Sequence, residues 1–296
     1  MTQPPNTLQG TLLILFVSVI WGTTGTAQTL LPAGVSPLSV GAMRLVIGSL
    51  ALVTYVLLRG GFHLTAAWSW KTAFFAGAGS ALYQITFFSG LRLTGVAVGT
   101  IVAMGSTPII AAVLDYFLQK EKLTLRWYIA TLLSITGGIL LVLGSSSQLK
   151  TNPLGILLAL LAGFSYAVLA LANKRLVAHH PPFTVMAVNS SIGALLLSPL
   201  LFTTDLSWLA DPPGLVVVLY LGLITTALAY GLFARGLQIV SVHNAATLTL
   251  AEPLTAALLG ILIVGEELTL YAFIGMALIF CGLLILTLNL PRKSLP

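Results

Sequence analysis

The sequence predicts an all-α integral membrane protein with ten transmembrane helices, arranged as two five-helix inverted repeats. Three observations predict it. Of the 296 residues, 57% are hydrophobic and only 7% are charged, where a soluble domain carries about a quarter charged; the mean hydropathy is +1.03. The apolar residues fall into ten runs of about 20, the length that crosses a hydrocarbon core of about 30 Å. The second half of the chain also repeats the first at a shift of 145 residues, as in Gly10 and Gly155.

The runs are 9–28, 37–58, 71–91, 95–118, 126–143, 153–176, 183–202, 213–234, 238–264 and 268–289. Lipid admits only helices and closed barrels as spanning structures. These runs are continuous and rich in Leu, Ala, Ile and Val, without a period of two, so they are helices. The first run is read as a span and not a cleaved leader, because its flank MTQPPNTLQG has no Lys or Arg and the run is long for a signal peptide.

Basic residues set the orientation. Arg59, Lys71, Lys120, Lys122, Arg126, Lys174, Arg175, Arg235, Arg292 and Lys293 fall on the side of the N-terminus, the even-numbered connections and the C-tail. Arg92 and Lys150 fall on the other side, and Arg44 lies within span two. This bias predicts cytoplasmic termini. It also accounts for the net charge of +6 without nucleic acid as a partner. The single cysteine, Cys281, lies in an apolar run, so there is no disulfide framework.

At the shift of 145, Pro37 meets Pro182, Gly48 meets Gly193, Pro108 meets Pro253 and Gly137 meets Gly282. EKLTL (Glu121–Leu125) meets EELTL (Glu266–Leu270), while Ala81-Leu82 and Gly90-Leu91 match Ala227-Leu228 and Gly236-Leu237 with a one-residue slip. Ordered matches that include prolines and a pentapeptide mark a true repeat, with units 1–150 and 151–296. Five spans per unit invert the second. Inverted repeats are typical of secondary transporters, whose solute site lies near the midplane between the halves.

Ten spans in two halves, Trp21-Gly22 in span one, mid-span prolines in spans four and nine, and Glu-x-Leu-Thr before spans five and ten resemble the drug/metabolite transporter superfamily, in its EamA-type branch. That resemblance covers nearly the whole chain. It implies a bacterial inner-membrane exporter, most similar to exporters of aromatic and other neutral amino acids, with drugs or other amphipathic metabolites as the alternative cargo. Span four reads STP (Ser106-Thr107-Pro108) where span nine reads AEP, so the halves differ chemically at the midplane.

Glu252 lies about 15 Å into span nine by the helical rise. A carboxylate there costs at least about 2.5–3.5 kcal/mol, so it faces the interior, as a proton-coupling or substrate-ammonium site or as a structural carboxylate bonded to hydroxyls. Pro253 and Pro108 withdraw donors from the carbonyls of Thr249 and Met104, which makes the prolines candidate hinges and the carbonyls candidate solute ligands. Trp21, its repeat partner Tyr166, Tyr83 and Tyr230 are deep aromatics, expected to line a cavity; Gln84 and Asn189 are further polar candidates. Aromatic walls with few polar groups suit a neutral, amphipathic or aromatic solute. Arg44 binds a substrate carboxylate, pairs with an acid or snorkels outward. His243 reads as interfacial, Asp115 as a charge at the span's rim, and Glu121 and Glu266 as first-turn acids favoured by the helix dipole.

Enzyme motifs are missing: the sequence holds no HExxH, G-x-S-x-G or P-loop. A channel would need rings of polar groups along a pore. No cofactor and no metal are expected. The expected partners are a small-molecule substrate and the lipid bilayer, and the expected state is a monomer.

Overall fold

The computed structural model describes residues 7–32, 34–62, 68–120, 122–144, 152–264 and 269–288. The expectations for Glu121, Lys150, Glu266, Arg292 and Lys293 lie outside these. Within them the chain is helical: α1 (Thr7–Gln28), α2 (Pro37–Leu58), α3 (Trp70–Thr94), α4 (Val96–Gln119), α5 (Leu125–Leu143), α6 (Pro153–Val177), α7 (Pro182–Leu201), α8 (Pro212–Gly222), α9 (Ala229–Leu237), α10 (Val242–Leu248), α11 (Ala251–Leu259) and α12 (Leu270–Thr287). A π-helical turn, Leu223–Leu228, joins α8 to α9 into one span, and α10 with α11 makes the ninth span. Nine spans among the described residues are long and apolar enough to cross a membrane on their own. The other is α3, 25 residues long, whose Ser80, Gln84 and Thr86 are buried in the bundle.

Helix starts follow from local chemistry. Proline stands at the first turn of α2, α6, α7 and α8, where a missing N–H costs nothing. Asn152 Oδ1 accepts from Leu154 N and Gly155 N at 3.0 and 3.2 Å. The repeated pentapeptide also has a direct use. Thr124 Oγ1 accepts from Trp127 N, and its repeat partner Thr269 Oγ1 accepts from Ala272 N, both at 3.2 Å. The threonines cap α5 and α12.

The halves interlock. In the first half α3 and α4 both pack on α6; reciprocally, α9 and α11 pack on α1. The pairs α2–α7 and α5–α12 lie across the two-fold relation. Glycines make the crossings close. A Cβ on Gly137 would sit 2.6 Å from the Gly275 carbonyl oxygen, and one on Gly282 would sit 2.6 Å from that of Ala130. The pairing 137 with 275 and 130 with 282 runs α5 antiparallel to α12, as inversion requires. Gly90 lies against Gly155, and Gly236 against Gly10. Gly77 lies against Ile192 of α7, and its counterpart Gly222 against Ile47 of α2. Large apolar side chains such as Leu12, Phe16, Leu132, Leu195, Leu262 and Phe273 cover the outside, which suits a lipid solvent.

Gly137→Val is expected to lower the melting temperature of the purified protein in detergent, at a cost of at least about 1–3 kcal/mol for overpacking. Gly25→Val, at a position with nothing within 4 Å of the added Cβ, is expected to leave that melt unchanged.

Candidate functional site

The ninth span is interrupted just before the acid-proline pair. Pro253 has no N–H to give the carbonyl four residues back, and its ring crowds that turn. The chain answers with two tight turns: Leu250 N donates to Thr247 O at 3.1 Å and Glu252 N donates to Thr249 O at 2.9 Å. α10 therefore stops at Leu248 and α11 resumes at Ala251. The expectation of a free Thr249 carbonyl is corrected by this turn, and the Thr249 hydroxyl donates to Ala246 O at 2.8 Å. Pro108 has no such effect, since α4 runs through it unbroken. Thr107 Oγ1 and Ser106 Oγ both donate back to Ala103 O, at 2.8 and 3.0 Å.

α1 presses on α11 at the level of Glu252. A Cβ on Gly22 would lie 2.5 Å from Thr255 Cβ and 2.8 Å from Glu252 O. With Gly22 turned to α11, the neighbouring Trp21 points into the bundle. Its Nε1 donates to Thr225 O at 2.9 Å, in the π-helical turn of span eight; such turns recur at functional sites. Rings gather around it: Tyr230 at 6.0 Å, Tyr166 at 6.4 Å and Phe233 at 5.2 Å between centroids. Tyr83 extends the group, 5.7 Å from Tyr166 and stacked on Phe87 at 5.2 Å.

Charges border these rings. Glu252 is half-buried, and its carboxylate has no hydrogen-bond partner among the described residues. Arg44, on α2, reaches Gln84 Oε1 with Nη2 at 3.5 Å. Arg44 and Glu252 do not meet as an ion pair. Several buried polar atoms here have no partner among the described residues: Arg44 Nε, Gln84 Nε2, Tyr166 OH and Asn189 Oδ1. The Asn189 amide nitrogen does bond, to Asn173 Oδ1 at 2.6 Å.

The sequence-predicted residues Trp21, Tyr83, Tyr166, Tyr230 and Glu252 therefore converge. Gln84 points to α2, beside Arg44 and Gly41. Met104 lines a small apolar cleft with Leu250, Pro253 and residues of α5 such as Ser134 and Gly138. Phe87 and Phe233 were not singled out by the sequence reading. Their spacing, four residues after Tyr83 and three after Tyr230, places each one turn away on the same helical face.

A second polar centre replaces the expected rim charge at Asp115. That residue is fully buried, and its Oδ2 accepts both the backbone N and the Nδ1 of His243 at 2.8 Å. His243 is buried too, at 4% exposure. Trp127 Nε1 donates to Thr247 Oγ1 at 3.0 Å, and Thr131 and Thr247 share a bond of 2.9 Å. The pair ties α4 to the start of α10, joining the two halves at the end of the bundle that carries the Arg- and Lys-rich loops. No group of three metal-ligating side chains occurs among the described residues.

An inverted pair of helical repeats packed around a cluster of aromatic rings is the architecture of a membrane transporter. The EamA-like transporter family model matches the chain twice, at residues 8–143 and 153–288, and the chain belongs to that family. It is 43% identical over 283 residues to the uncharacterized transporter YwfM of Bacillus subtilis, covering 96% of this chain and 95% of that one. It is 27% identical over 294 residues to the threonine/homoserine exporter RhtA of Escherichia coli, covering 96% and 92%. A crystal structure superposes with a TM-score of 0.81 at 23% identity, over 92% of this chain and 94% of that one, a likeness of fold. The protein is thus a multi-pass membrane transporter and not an enzyme, with a small-molecule substrate and the bilayer as its partners.

Asp115→Ala is expected to destabilise the protein by about 3–5 kcal/mol, because it strands a buried partner. Combining it with His243→Leu is expected to recover part of that loss, read as melting temperatures in detergent.

Proposed function

We propose that the protein is a secondary transporter that exports neutral amphipathic small molecules, aromatic and other amino acids among them, across the bacterial inner membrane. The observation that carries this reading is the cluster of rings of Trp21, Tyr83, Tyr166 and Tyr230, with the carboxylate of Glu252, unpaired among the described residues, on its border. Rings supply apolar surface at about 0.5–1.5 kcal/mol per pair beyond burial, and the carboxylate meets an ammonium. The similarity to a threonine/homoserine exporter supports amino acids as the solute class. Drugs and other amphipathic cations fit the same walls and the same carboxylate, and form the second reading.

With the termini in the cytoplasm and units of 1–150 and 151–296, the halves rock about the chamber. The Asp115–His243 bond, which joins α4 of one half to α10 of the other at the basic end, favours a state closed to the cytoplasm; Lys174 Nζ to the carbonyls of Leu237 and Val240, at 2.6 and 2.9 Å, and Gln238 Nε2 to Val177 O, at 2.8 Å, tie α6 to the end of α9 within the second half. Pro253, at the break between α10 and α11, is the natural hinge; Pro108 is the matching position in the other half. No nucleotide-binding motif supplies energy, so the solute gradient or a coupled ion does.

Proteoliposomes loaded with a panel of amino acids and small drugs test the reading by counterflow. Saturable counterflow of aromatic amino acids is expected, and its absence for every amino acid would sink that assignment. Trp21→Ala is expected to cut aromatic flux about tenfold or more, since it removes three ring contacts at the energies above. Glu252→Gln is expected to weaken both export and its pH dependence; an unaltered flux and pH profile would remove Glu252 from the mechanism.

A further inference from the structure

The transport reading makes no use of Arg44, the one basic residue more than a helical turn from either end of its span. It lies seven residues, about 10 Å by the helical rise, from the start of α2 at Pro37. A guanidinium in a bundle interior normally spends its donors on protein acceptors. Here only Nη2 has a protein acceptor, Gln84 Oε1 at a long 3.5 Å, and the buried Nε has none. Gln84 is 1% exposed, and its Nε2 also lacks an acceptor. Adjacent donors on two neighbouring side chains are thus unmet. The missing partner is an acceptor with two oxygens, which a guanidinium grips in its planar fork.

Glu252 presents the converse, a half-buried carboxylate with no donor. Arg44 and Glu252 flank the same rings without forming an ion pair: Tyr230 packs on the cluster that holds Ala42 and Leu45 of α2 and stands 6.0 Å from Trp21, whose neighbour Gly22 lies against Glu252 O. A snorkelling arginine would give its nitrogens to water, whereas Nε is buried. Formally the site sums to zero charge with both signs held apart, so a net-neutral solute carrying both signs satisfies it. A cation leaves Arg44 unmet, and an anion leaves Glu252 unmet.

We propose that Arg44 and Gln84 bind the carboxylate of a zwitterionic α-amino acid while Glu252 takes its ammonium and the rings of Trp21, Tyr83 and Tyr166 take its side chain. This rests on the reading of the ring chamber as the solute site, and it makes Arg44 the residue that separates amino acids from amines.

The test uses the full chain in proteoliposomes with three probes: L-phenylalanine, phenethylamine (no carboxylate) and 3-phenylpropionate (no ammonium). Wild type is expected to favour phenylalanine over phenethylamine by about 10- to 100-fold, the worth of hydrogen bonds to a charged group. Arg44→Gln is expected to abolish that preference while still carrying phenethylamine. Arg44→Lys, which keeps the charge but loses the fork, is expected to fall between. An undiminished phenylalanine preference in Arg44→Gln overturns the proposal. Should that variant carry neither solute, ligand-induced melting shifts decide: loss of the phenylalanine shift alone supports the assignment, and loss or retention of both shifts overturns it. A wild type that moves none of the three probes defeats the amino-acid reading itself, and this proposal with it. A wild type that moves phenylalanine, with Arg44→Gln equally selective, defeats this proposal alone.

Discussion

Helices in lipid gain little by hiding apolar surface from one another, because the solvent is as apolar as they are; close backbone contact has to hold them together. This protein meets that demand with glycine at its crossings, and nearly everything else follows. Gly137 with Gly275 sets α5 on α12, Gly90 with Gly155 sets α3 on α6, and Gly236 with Gly10 repeats that second contact in the other half. Where backbones touch there is no room for large side chains, so the rings are pushed to the interior faces in between. Gly22 and Trp21 make the point within two residues: the first lets α11 approach, and the second is thereby aimed at the chamber.

Buried polar groups gather at two levels of the bundle. At the basic end Asp115 bonds His243 and Lys174 bonds the last carbonyls around α9, while Trp68 Nε1, both His180 ring nitrogens and Asn244 Oδ1 have no partner among the described residues. Around the rings Arg44 Nε, Gln84 Nε2 and Tyr166 OH are likewise buried without a partner among the described residues. A buried polar atom without a partner is costly. Under the transport reading proposed above, an arriving solute relieves that cost at the rings.

Much of this was legible in the sequence, because lipid narrows the choices. Continuous apolar runs can only be helices, so the spans were legible to within a few residues, as were the deep aromatics and the carboxylate of Glu252. Two details were not. The break at Thr249 depends on how the backbone re-bonds beside Pro253, and the identical residue type at Pro108 leaves α4 whole. Asp115 looked like a rim charge because its partner lies 128 residues away, on an element whose placement no local pattern encodes. The repeated Glu-x-Leu-Thr was legible as a repeat, but its use as a threonine cap came from the structure.

The π-helical turn at Leu223–Leu228 has a consequence for the symmetry of the whole molecule. A π-turn is how a helix absorbs one surplus residue without changing course. The repeat register is 145 at Gly77 and Gly222 but 146 at Ala81 and Ala227, so the surplus residue falls in this turn. Span eight thereby keeps Phe233 opposite its counterpart Phe87, while a carbonyl inside the turn, that of Thr225, is taken by Trp21. No matching distortion interrupts α3. The two halves are alike in outline and unlike both here and at the break beside Pro253, so a cycle in which they trade shapes would have no symmetry to make its two end states equal in energy.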